Sequence, residues 1–214
     1  MELIWQGITR AFWLIVTGDP EVIEIALLSL KISVSATLLA LLLGIPVGSV
    51  LALTRFRGRS FVVSLINTGM GLPPVVVGLV VTILLWRDSL FGFMRLLYTP
   101  AAMILAQIVI AFPIVAGLTL AALQSLNPKL RLQLLSLGAS RFQLTLLLLK
   151  EARLPLLAAV MAGFGGVISE IGAVLMVGGN IKGQTRVLTT SIVLETRMGN
   201  FETVSYTHLT LPTN

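Results

Sequence analysis

A charged stretch, LGASRFQLTLLLLKEARLP at residues 137–155, interrupts a chain that is otherwise mostly apolar. Four ionisable residues stand among its leucines: Arg141, Lys150, Glu151 and Arg153. Gly138 occupies a position where a helix C-terminus favours a left-handed residue. Ser140 can cap a second helix, because Gln143 three residues later completes a capping box. The stretch is therefore predicted to hold the turn between two helices.

The residues before this turn complete a helical hairpin. Asn127 can cap a first helix that has Pro128 at its first position, which is a favoured arrangement. The second helix is expected to continue until Pro155 begins the next apolar segment. We predict a helix–turn–helix over residues 127–153.

The composition places the chain in a bilayer. Of its 214 residues, 56% are hydrophobic and 11% are charged, whereas soluble domains carry about a quarter charged residues. The net charge is +6, but the basic residues lie in short gaps between apolar runs, which disfavours nucleic-acid binding. The sequence contains no cysteine, so disulfides and thiolate metal sites are excluded.

Four apolar runs each exceed the roughly 20 residues that a spanning helix needs. They cover residues 32–54, 60–86, 99–123 and 154–181. A fifth run at residues 187–194 is too short to span. The N-terminal residues, which include Gln6 and Arg10, are typical of an interfacial or partly inserted helix. The predicted fold is an all-α integral membrane protein with about four full spans.

The basic residues also predict the orientation. Two loops hold eight of the fifteen lysines and arginines, one at residues 55–59 and the other at 129–153. The positive-inside rule places both loops in the cytoplasm. The loop at residues 87–98 and the acidic segment at residues 18–24 then face outward.

Several spans contain residues that a simple membrane anchor avoids. Pro46 interrupts the first span and Pro113 the third, and the second contains NTGMGLPPVVVGL at residues 67–79. Carbonyls that proline leaves without a donor must be satisfied by neighbouring helices or water. The broken second segment either lines a cavity or pathway, or is an ordinary kinked helix at a packed interface.

The fourth span combines small residues with one carboxylate. Its small residues recur four apart, which predicts close helix packing: Ala159 and Gly163, Ala162 and Gly166, Ser169 and Ala173. Glu170 should face protein or water, because a carboxylate is costly in the apolar interior. It serves either as a structural hydrogen-bonding group or in gating and translocation.

The combination of LGASRF, an apolar helix and LP resembles the cytoplasmic coupling loop of ABC importer permeases. The stretches LPPVVVGL and SEIGAVLMVGGNIKGQTRVLTTSI are most similar to the molybdate and tungstate branch, particularly tungstate permeases. The resemblance extends from about Glu21 to Glu202. It implies a type I ABC importer-like transmembrane domain that translocates an oxyanion, with tungstate the expected cargo. The alternatives are molybdate or another anion, or an ion-driven secondary transporter.

The resemblance also implies partners for the chain. The docking turn would be Gly138, Ala139, Ser140 and Arg141. The chain lacks a phosphate-binding G-x-x-x-x-G-K-[ST] loop, so it is expected to be a transport subunit without its own enzymatic activity or cofactor. ATP would be used by a separate ABC ATPase subunit. The other expected partners are a periplasmic or lipid-anchored anion-binding protein, a second copy of the chain and the lipid of a bacterial or archaeal plasma (inner) membrane.

Two features depart from the family pattern. Leu132, Gln133 and Leu134 stand where the family has Glu-Ala-Ala, so the usual acidic contact is absent. The second hairpin helix is also about one turn, or roughly four residues, longer. Both departures bear on the detailed geometry of docking.

Backbone donors and hydroxyl groups at broken helices suit the passage of a divalent oxyanion, because they lower its barrier without trapping it. The predicted translocation residues are Asn67, Thr68, Gly71, Pro73, Pro74, Thr82 and Glu170. An outer-side polar turn contains Asn180, Gln184 and Arg186. One interpretation is that this turn contacts a solute-binding protein or the descending anion. The alternative is that it is an ordinary polar turn.

The C-terminal residues are unlike the rest of the chain. We predict a transmembrane permease domain over residues 1–202, incomplete at its C-terminus, with a final span expected to follow. Residues 203–214 resemble translated sequencing adapter and are interpreted as non-native. His208, the single histidine, lies in this tail, and its exclusion disfavours a Ser–His intramembrane protease.

Overall fold

The structure is a computed structural model that describes residues 20–198. Over these residues its regular elements are helices, as the composition predicted. Besides a short 3-10 turn at Gly92–Met94, they are α1 Pro20–Leu53, α2 Arg59–Met70, α3 Pro74–Leu85, α4 Pro100–Gln124, α5 Pro128–Ser136, α6 Arg141–Glu151, α7 Arg153–Ile168, α8 Gly172–Gly178 and α9 Leu188–Arg197. The predicted interfacial N-terminal helix and the predicted non-native tail lie outside the described residues.

Two of these helices, α1 and α4, are long and apolar enough to cross a membrane. The number rises to four if each of two bent helix pairs, α2 with α3 and α7 with α8, forms one span. These four segments correspond to the four apolar runs of the sequence. The short run at residues 187–194 becomes most of α9.

The first span begins earlier than predicted. Its helix starts at Pro20 rather than at residue 32 and has 34 residues, which is about 51 Å at a rise of about 1.5 Å per residue. Proline is favoured at a first helical position. Glu21 lies in the first turn, where the positive end of the helix dipole stabilises an acidic side chain. The acidic segment predicted to precede the first span is therefore partly helical.

The prediction that Pro46 and Pro113 interrupt their spans is wrong. Both lie inside continuous helices, α1 and α4. One missing N–H removes one hydrogen bond, and membrane helices tolerate it when neighbouring groups compensate. The ring of Pro113 packs against Gly69, where an added Cβ would lie 3.0 Å from Pro113 Cβ.

The predicted break in the second span is confirmed. Helix α2 ends at Met70, and the Gly71 N–H donates to the Thr68 carbonyl at 3.1 Å. Pro73 disfavours helical geometry in the residue before it. Helix α3 then begins at Pro74.

The fourth apolar run, residues 154–181, was expected to form one continuous span. The structure instead divides it between two helices, α7 and α8. Glu170 lies in the break between α7 and α8. Two side chains donate hydrogen bonds to backbone carbonyls beside this break. Gln107 Nε2 donates to the Val167 carbonyl at 2.9 Å, and Thr189 Oγ1 donates to the Glu170 carbonyl at 3.0 Å. These bonds stabilise the interruption of the helix, because a buried carbonyl without a donor raises the free energy of the folded state.

The chain divides into two compact units. The described residues of unit one are 20–34, 74–106 and 168–198, and unit two comprises residues 35–73 and 107–167. The loops predicted to face outward belong to unit one, and those predicted to be cytoplasmic belong to unit two.

Close backbone approach and a hydroxyl bond between helices both contribute to the packing of unit one. A Cβ added to Gly78 of α3 would lie 2.6 Å from the Cα of Ala173 in α8. Ser29 Oγ of α1 accepts a hydrogen bond from the Leu188 N–H at 2.8 Å. That bond satisfies the first N–H of α9, which has no intrahelical partner.

Unit two has its core around α4. Fully buried side chains of α1, α4 and α7 meet there: Ala40, Ala111, Val115 and Val167. Gly163 and Gly166 of α7 approach α4, with distances from an added Cβ of 3.1 Å to Val115 and 3.6 Å to Ile114. The close packing predicted for these glycines is confirmed.

Candidate docking hairpin and translocation residues

The first hairpin helix begins as predicted. The Asn127 side chain accepts a hydrogen bond from the Lys129 N–H at 3.0 Å, and Pro128 occupies the first helical position. None of the residues of α5 is buried. The helix is therefore positioned by its cap and its neighbours rather than by a core of its own.

The turn between α5 and α6 has the geometry that its residues predict. Gly138 has a φ of 81°, a left-handed conformation that glycine adopts at little cost. Its N–H donates to the Leu135 carbonyl at 3.0 Å, and the Ala139 N–H donates to the Leu134 carbonyl at 3.1 Å. These two bonds form a Schellman motif, which satisfies the last carbonyls of α5.

The capping box of α6 is confirmed. The Gln143 N–H donates to Ser140 Oγ at 3.3 Å, and the Ser140 N–H donates to Gln143 Oε1 at 2.9 Å. The helix ends at Glu151, earlier than the predicted Pro155. Pro155 instead lies in the first turn of α7, where its missing N–H would have no intrahelical acceptor in any case.

The hairpin is anchored on unit two by leucines of one face of α6. Leu144 and Leu148 are buried, and they pack with Ala122 and Leu123 of α4 and with Ala152. Burying a leucine stabilises by about 1.5–3 kcal/mol. The inner face of α6 therefore holds the turn in a defined position.

Two arginines bind the carbonyls at the C-terminus of α1. Arg59 Nε donates to the Leu51 carbonyl at 2.7 Å, and an Arg131 terminal nitrogen donates to the Leu53 carbonyl at 3.1 Å. Cations are stabilising at this end of a helix dipole. The positive-inside rule predicts for these residues only a role in orientation. The one sequence signal for this role is the position of Arg59, a few residues after the uncharged run at residues 32–54. The sequence contains no such signal for Arg131.

The tip of the hairpin exposes large apolar side chains beside Arg141. Leu137 is 82% exposed and Phe142 is 73% exposed. Arg141 is exposed too. Apolar side chains grouped around a cation are typical of a protein-binding surface.

The predicted translocation residues fall in both units. Asn67, Thr68, Gly71 and Pro73 belong to unit two and are exposed at the end of α2. They share one break in the chain, where the Asn67 amide and the Thr68 hydroxyl supply the donors, since the Gly71 N–H is bonded to the Thr68 carbonyl and Pro73 has no N–H.

The remaining predicted translocation residues belong to unit one. Pro74 begins α3, and the Thr82 hydroxyl donates to the Gly78 carbonyl of the same helix at 2.8 Å. Glu170 Oε1 accepts a hydrogen bond from the Ala173 N–H at 2.9 Å. The carboxylate thus satisfies an N–H group in the first turn of α8, which has no acceptor within the helix.

The outer-side polar turn is built around a threonine that the sequence analysis missed. Thr185 is fully buried; its hydroxyl accepts from the Ile181 N–H at 3.0 Å and donates to the Gly178 carbonyl at 2.5 Å. Asn180 has a φ of 52°. Nothing in the sequence pattern distinguishes this threonine from its neighbours.

The two other residues predicted in this turn differ in their surroundings. Gln184 is exposed, whereas Arg186 is largely buried and approaches Glu21 Oε1 to 3.9 Å. Lys182 forms a closer pair with Glu21 at 2.7 Å. These contacts connect the turn to the start of α1.

The fold defines a multi-pass membrane protein with a preformed helical hairpin between α4 and α7. The chain belongs to the family described as binding-protein-dependent transport system inner membrane component, which it matches over residues 44–213. The family resemblance recognised in the sequence is thereby confirmed.

Its relatives are transport permeases. The chain is 41% identical to the tungstate uptake system permease protein TupB of Peptoclostridium acidaminophilum, over 94% of this chain and 88% of that protein. It is 42% identical to a probable anion ABC transporter permease protein of Haloferax volcanii, over 85% and 80% of the two chains. It is 30% identical to the molybdenum transport system permease protein ModB of Haemophilus influenzae, over 75% and 74%.

Proposed function

We propose that this chain is the permease subunit of an ABC importer that carries tungstate across the membrane, driven by a separate ATPase. The identity of 41% to a tungstate permease over 94% of the chain carries the choice of cargo. A second tungstate permease, from Campylobacter jejuni, is 34% identical over the same share of the chain.

The exposed end of α2 supplies donors that suit such a cargo. Asn67 and Thr68 carry an amide N–H and a hydroxyl, and both are exposed. Neutral donors lower the cost of dehydrating a divalent oxyanion, yet they hold it weakly enough for release. A buried arginine in the same position would bind the anion far more tightly.

The hairpin supports coupling to an ATPase. Its turn is fixed by a Schellman motif and a capping box, and its inner face is anchored on α4. A partner that moves Gly138 and Arg141 would therefore move the end of α4 as well, because the buried leucines connect them. The hairpin can act as a lever for that reason.

Reconstitution in liposomes tests the cargo and the energy source together. We expect ATP-dependent tungstate uptake only when the cognate ATPase and the anion-binding protein are both present. A proton or sodium gradient without ATP should give no uptake. Uptake driven by such a gradient alone would contradict the proposal, and molybdate or sulfate outcompeting tungstate would contradict the choice of cargo.

The docking turn is tested by Arg141→Glu with Arg57→Glu as its matched control. Both arginines are exposed and lie in loops predicted to be cytoplasmic. We expect Arg141→Glu to weaken ATPase binding at least tenfold, since reversing an interfacial charge costs about 1.4 kcal/mol or more. Equal ATPase affinity of the wild type and the Arg141 variant would contradict docking at this turn.

A further inference from the structure

The loop between α3 and α4 forms an open cavity of about 1030 Å³ in unit one. Three aromatic side chains and two guanidinium groups line it: Trp86, Phe93, Tyr98, Arg87 and Arg95. The charge distribution of the chain predicts that this loop faces outward. The proposed translocation residues do not include any of these side chains.

The loop has a specific conformation. Gly92 is buried, and an added Cβ would overlap the carbonyls of Trp86 and Arg87. Arg95 and Tyr98 have φ values of 50° and 63°, which is uncommon for residues other than glycine and requires support from the surroundings.

Contacts with the C-terminal end of α8 support the conformation at Tyr98. The Tyr98 N–H donates to the Val177 carbonyl at 2.9 Å. The Tyr98 ring lies against Gly179, where an added Cβ would be 2.8 Å from the ring. The position of the loop is thus set by tertiary contacts, which also define the cavity wall.

The lining of the cavity is cationic. Within residues 20–198 its lining contains no acidic residue, and neither Arg87 nor Arg95 forms an ion pair. Trp86 and Tyr98 add an indole N–H and a phenol O–H, both of which can donate to an anion. Guanidinium groups match the oxygen atoms of tetrahedral anions by paired hydrogen bonds.

We propose that this cavity is an external capture site for a divalent tetrahedral oxyanion, with Arg87 and Arg95 as its binding residues. Both guanidinium groups are exposed, so the site concentrates the anion and exchanges it rapidly rather than retaining it. The identity of the anion and the direction of transport rest on the proposed function.

Transport kinetics separate anion capture from docking of a partner. Arg87→Gln and Arg95→Gln are reconstituted with the ATPase and titrated with loaded binding protein, and Lys31→Gln, an exposed cation outside the cavity, is the matched control. We expect the maximal rate to fall about tenfold for each arginine variant, with an unchanged half-saturating concentration of binding protein. The control should behave as the wild type.

Two kinetic results would overturn the proposal. An increased half-saturating concentration with an unchanged maximal rate would show that the arginines bind an acidic surface of the binding protein. An unchanged rate and an unchanged half-saturating concentration would show that the arginines have no role in transport. In either case tungstate uptake by the wild type would leave the proposed function standing.

A binding measurement tests the cavity without transport. Replacing Trp5 and Trp13 by phenylalanine leaves Trp86 as the single tryptophan of the chain. We expect sodium tungstate to change its fluorescence at constant ionic strength, and Arg87→Gln with Arg95→Gln to abolish the change. A response that persists in the double variant would overturn the inference. A response in the wild type without reconstituted tungstate uptake would contradict only the proposed function.

Discussion

Glu170 has a defined hydrogen-bonding role although it stands in an apolar part of the sequence. Its Oε1 accepts from the Ala173 N–H at 2.9 Å, and the Thr189 hydroxyl donates to its backbone carbonyl at 3.0 Å. A side chain that satisfies the first turn of a helix stabilises the folded protein by about 1 kcal/mol. The observed geometry favours a structural role, while a role in gating stays a prediction.

Paired substitutions separate these two roles. Glu170→Gln keeps an oxygen that can accept the Ala173 N–H, whereas Glu170→Ala removes it. We expect the glutamine variant to match the wild type in Tm and in uptake, and the alanine variant to lose about 1 kcal/mol of stability. A stable glutamine variant that no longer transports would show instead that the carboxylate charge acts in translocation.

Gln107 supports the neighbouring break through one bond. It is 3% exposed, and its Nε2 donates to the Val167 carbonyl at 2.9 Å. We expect Gln107→Met to destabilise by about 1–3 kcal/mol, because the buried carbonyl loses its donor. Thermal unfolding in detergent measures this, with the exposed Gln124→Met of the same helix as control. Equal Tm values for the two variants would contradict the assigned role.

Helices α1 and α4 approach each other through glycine. A Cβ added to Gly48 would lie 2.5 Å from the Ala116 carbonyl oxygen and 2.7 Å from Thr119 Cβ. Since the Ala116 oxygen belongs to the backbone, the helices must separate to accept a methyl group. The contact depends on both helices and is therefore a property of the pair.

The substitution Gly48→Ala tests this approach. We expect a loss of about 1–3 kcal/mol, as for other overpacked cores, visible as a lower Tm and a lower yield of folded protein. Gly165→Ala is the matched control, because a Cβ at Gly165 meets no atom within 4 Å. A Gly48 variant as stable as the Gly165 variant would show that the two helices can move apart freely.

At the scale of the whole molecule, the orientation in the membrane can be read directly. The sequence contains no cysteine, so a single introduced cysteine is the only thiol in the chain that a maleimide can label. Leu90 and Leu137 are 76% and 82% exposed and lie in loops predicted to face opposite sides. We expect an impermeant maleimide to label Leu90→Cys in intact cells and Leu137→Cys only after permeabilisation. The reverse pattern would invert the orientation and remove the basis for an inward docking turn.

The hairpin was predictable because its signals are local. Asn127, Ser140 and Gln143 act on N–H groups two or three residues away, and the conformation of Gly138 follows from the end of the helix before it. Such bonds do not depend on the rest of the fold. For the same reason, apolar run lengths were sufficient to find the four membrane segments.

The roles of polar side chains that bind distant segments of the chain were not predictable in this way. Arg59 and Arg131 bind carbonyls of α1, and Gln107 binds a carbonyl 60 residues away. Each bond depends on which backbone groups a helix end or break leaves unpaired, and on which neighbour lies close enough to donate. The sequence does not state either condition.

The sequence by itself determined the membrane class, the number of apolar segments, the caps of the hairpin and the resemblance that led to the family. Only the tertiary structure decided that α1 and α4 run through their prolines, that Glu170 lies in a break, and that Arg87 and Arg95 share one cavity. The physical reason is the range of the interactions. Hydrophobicity and capping act within a segment, whereas the pairing of freed carbonyls and the grouping of charges require segments that are distant in sequence to meet.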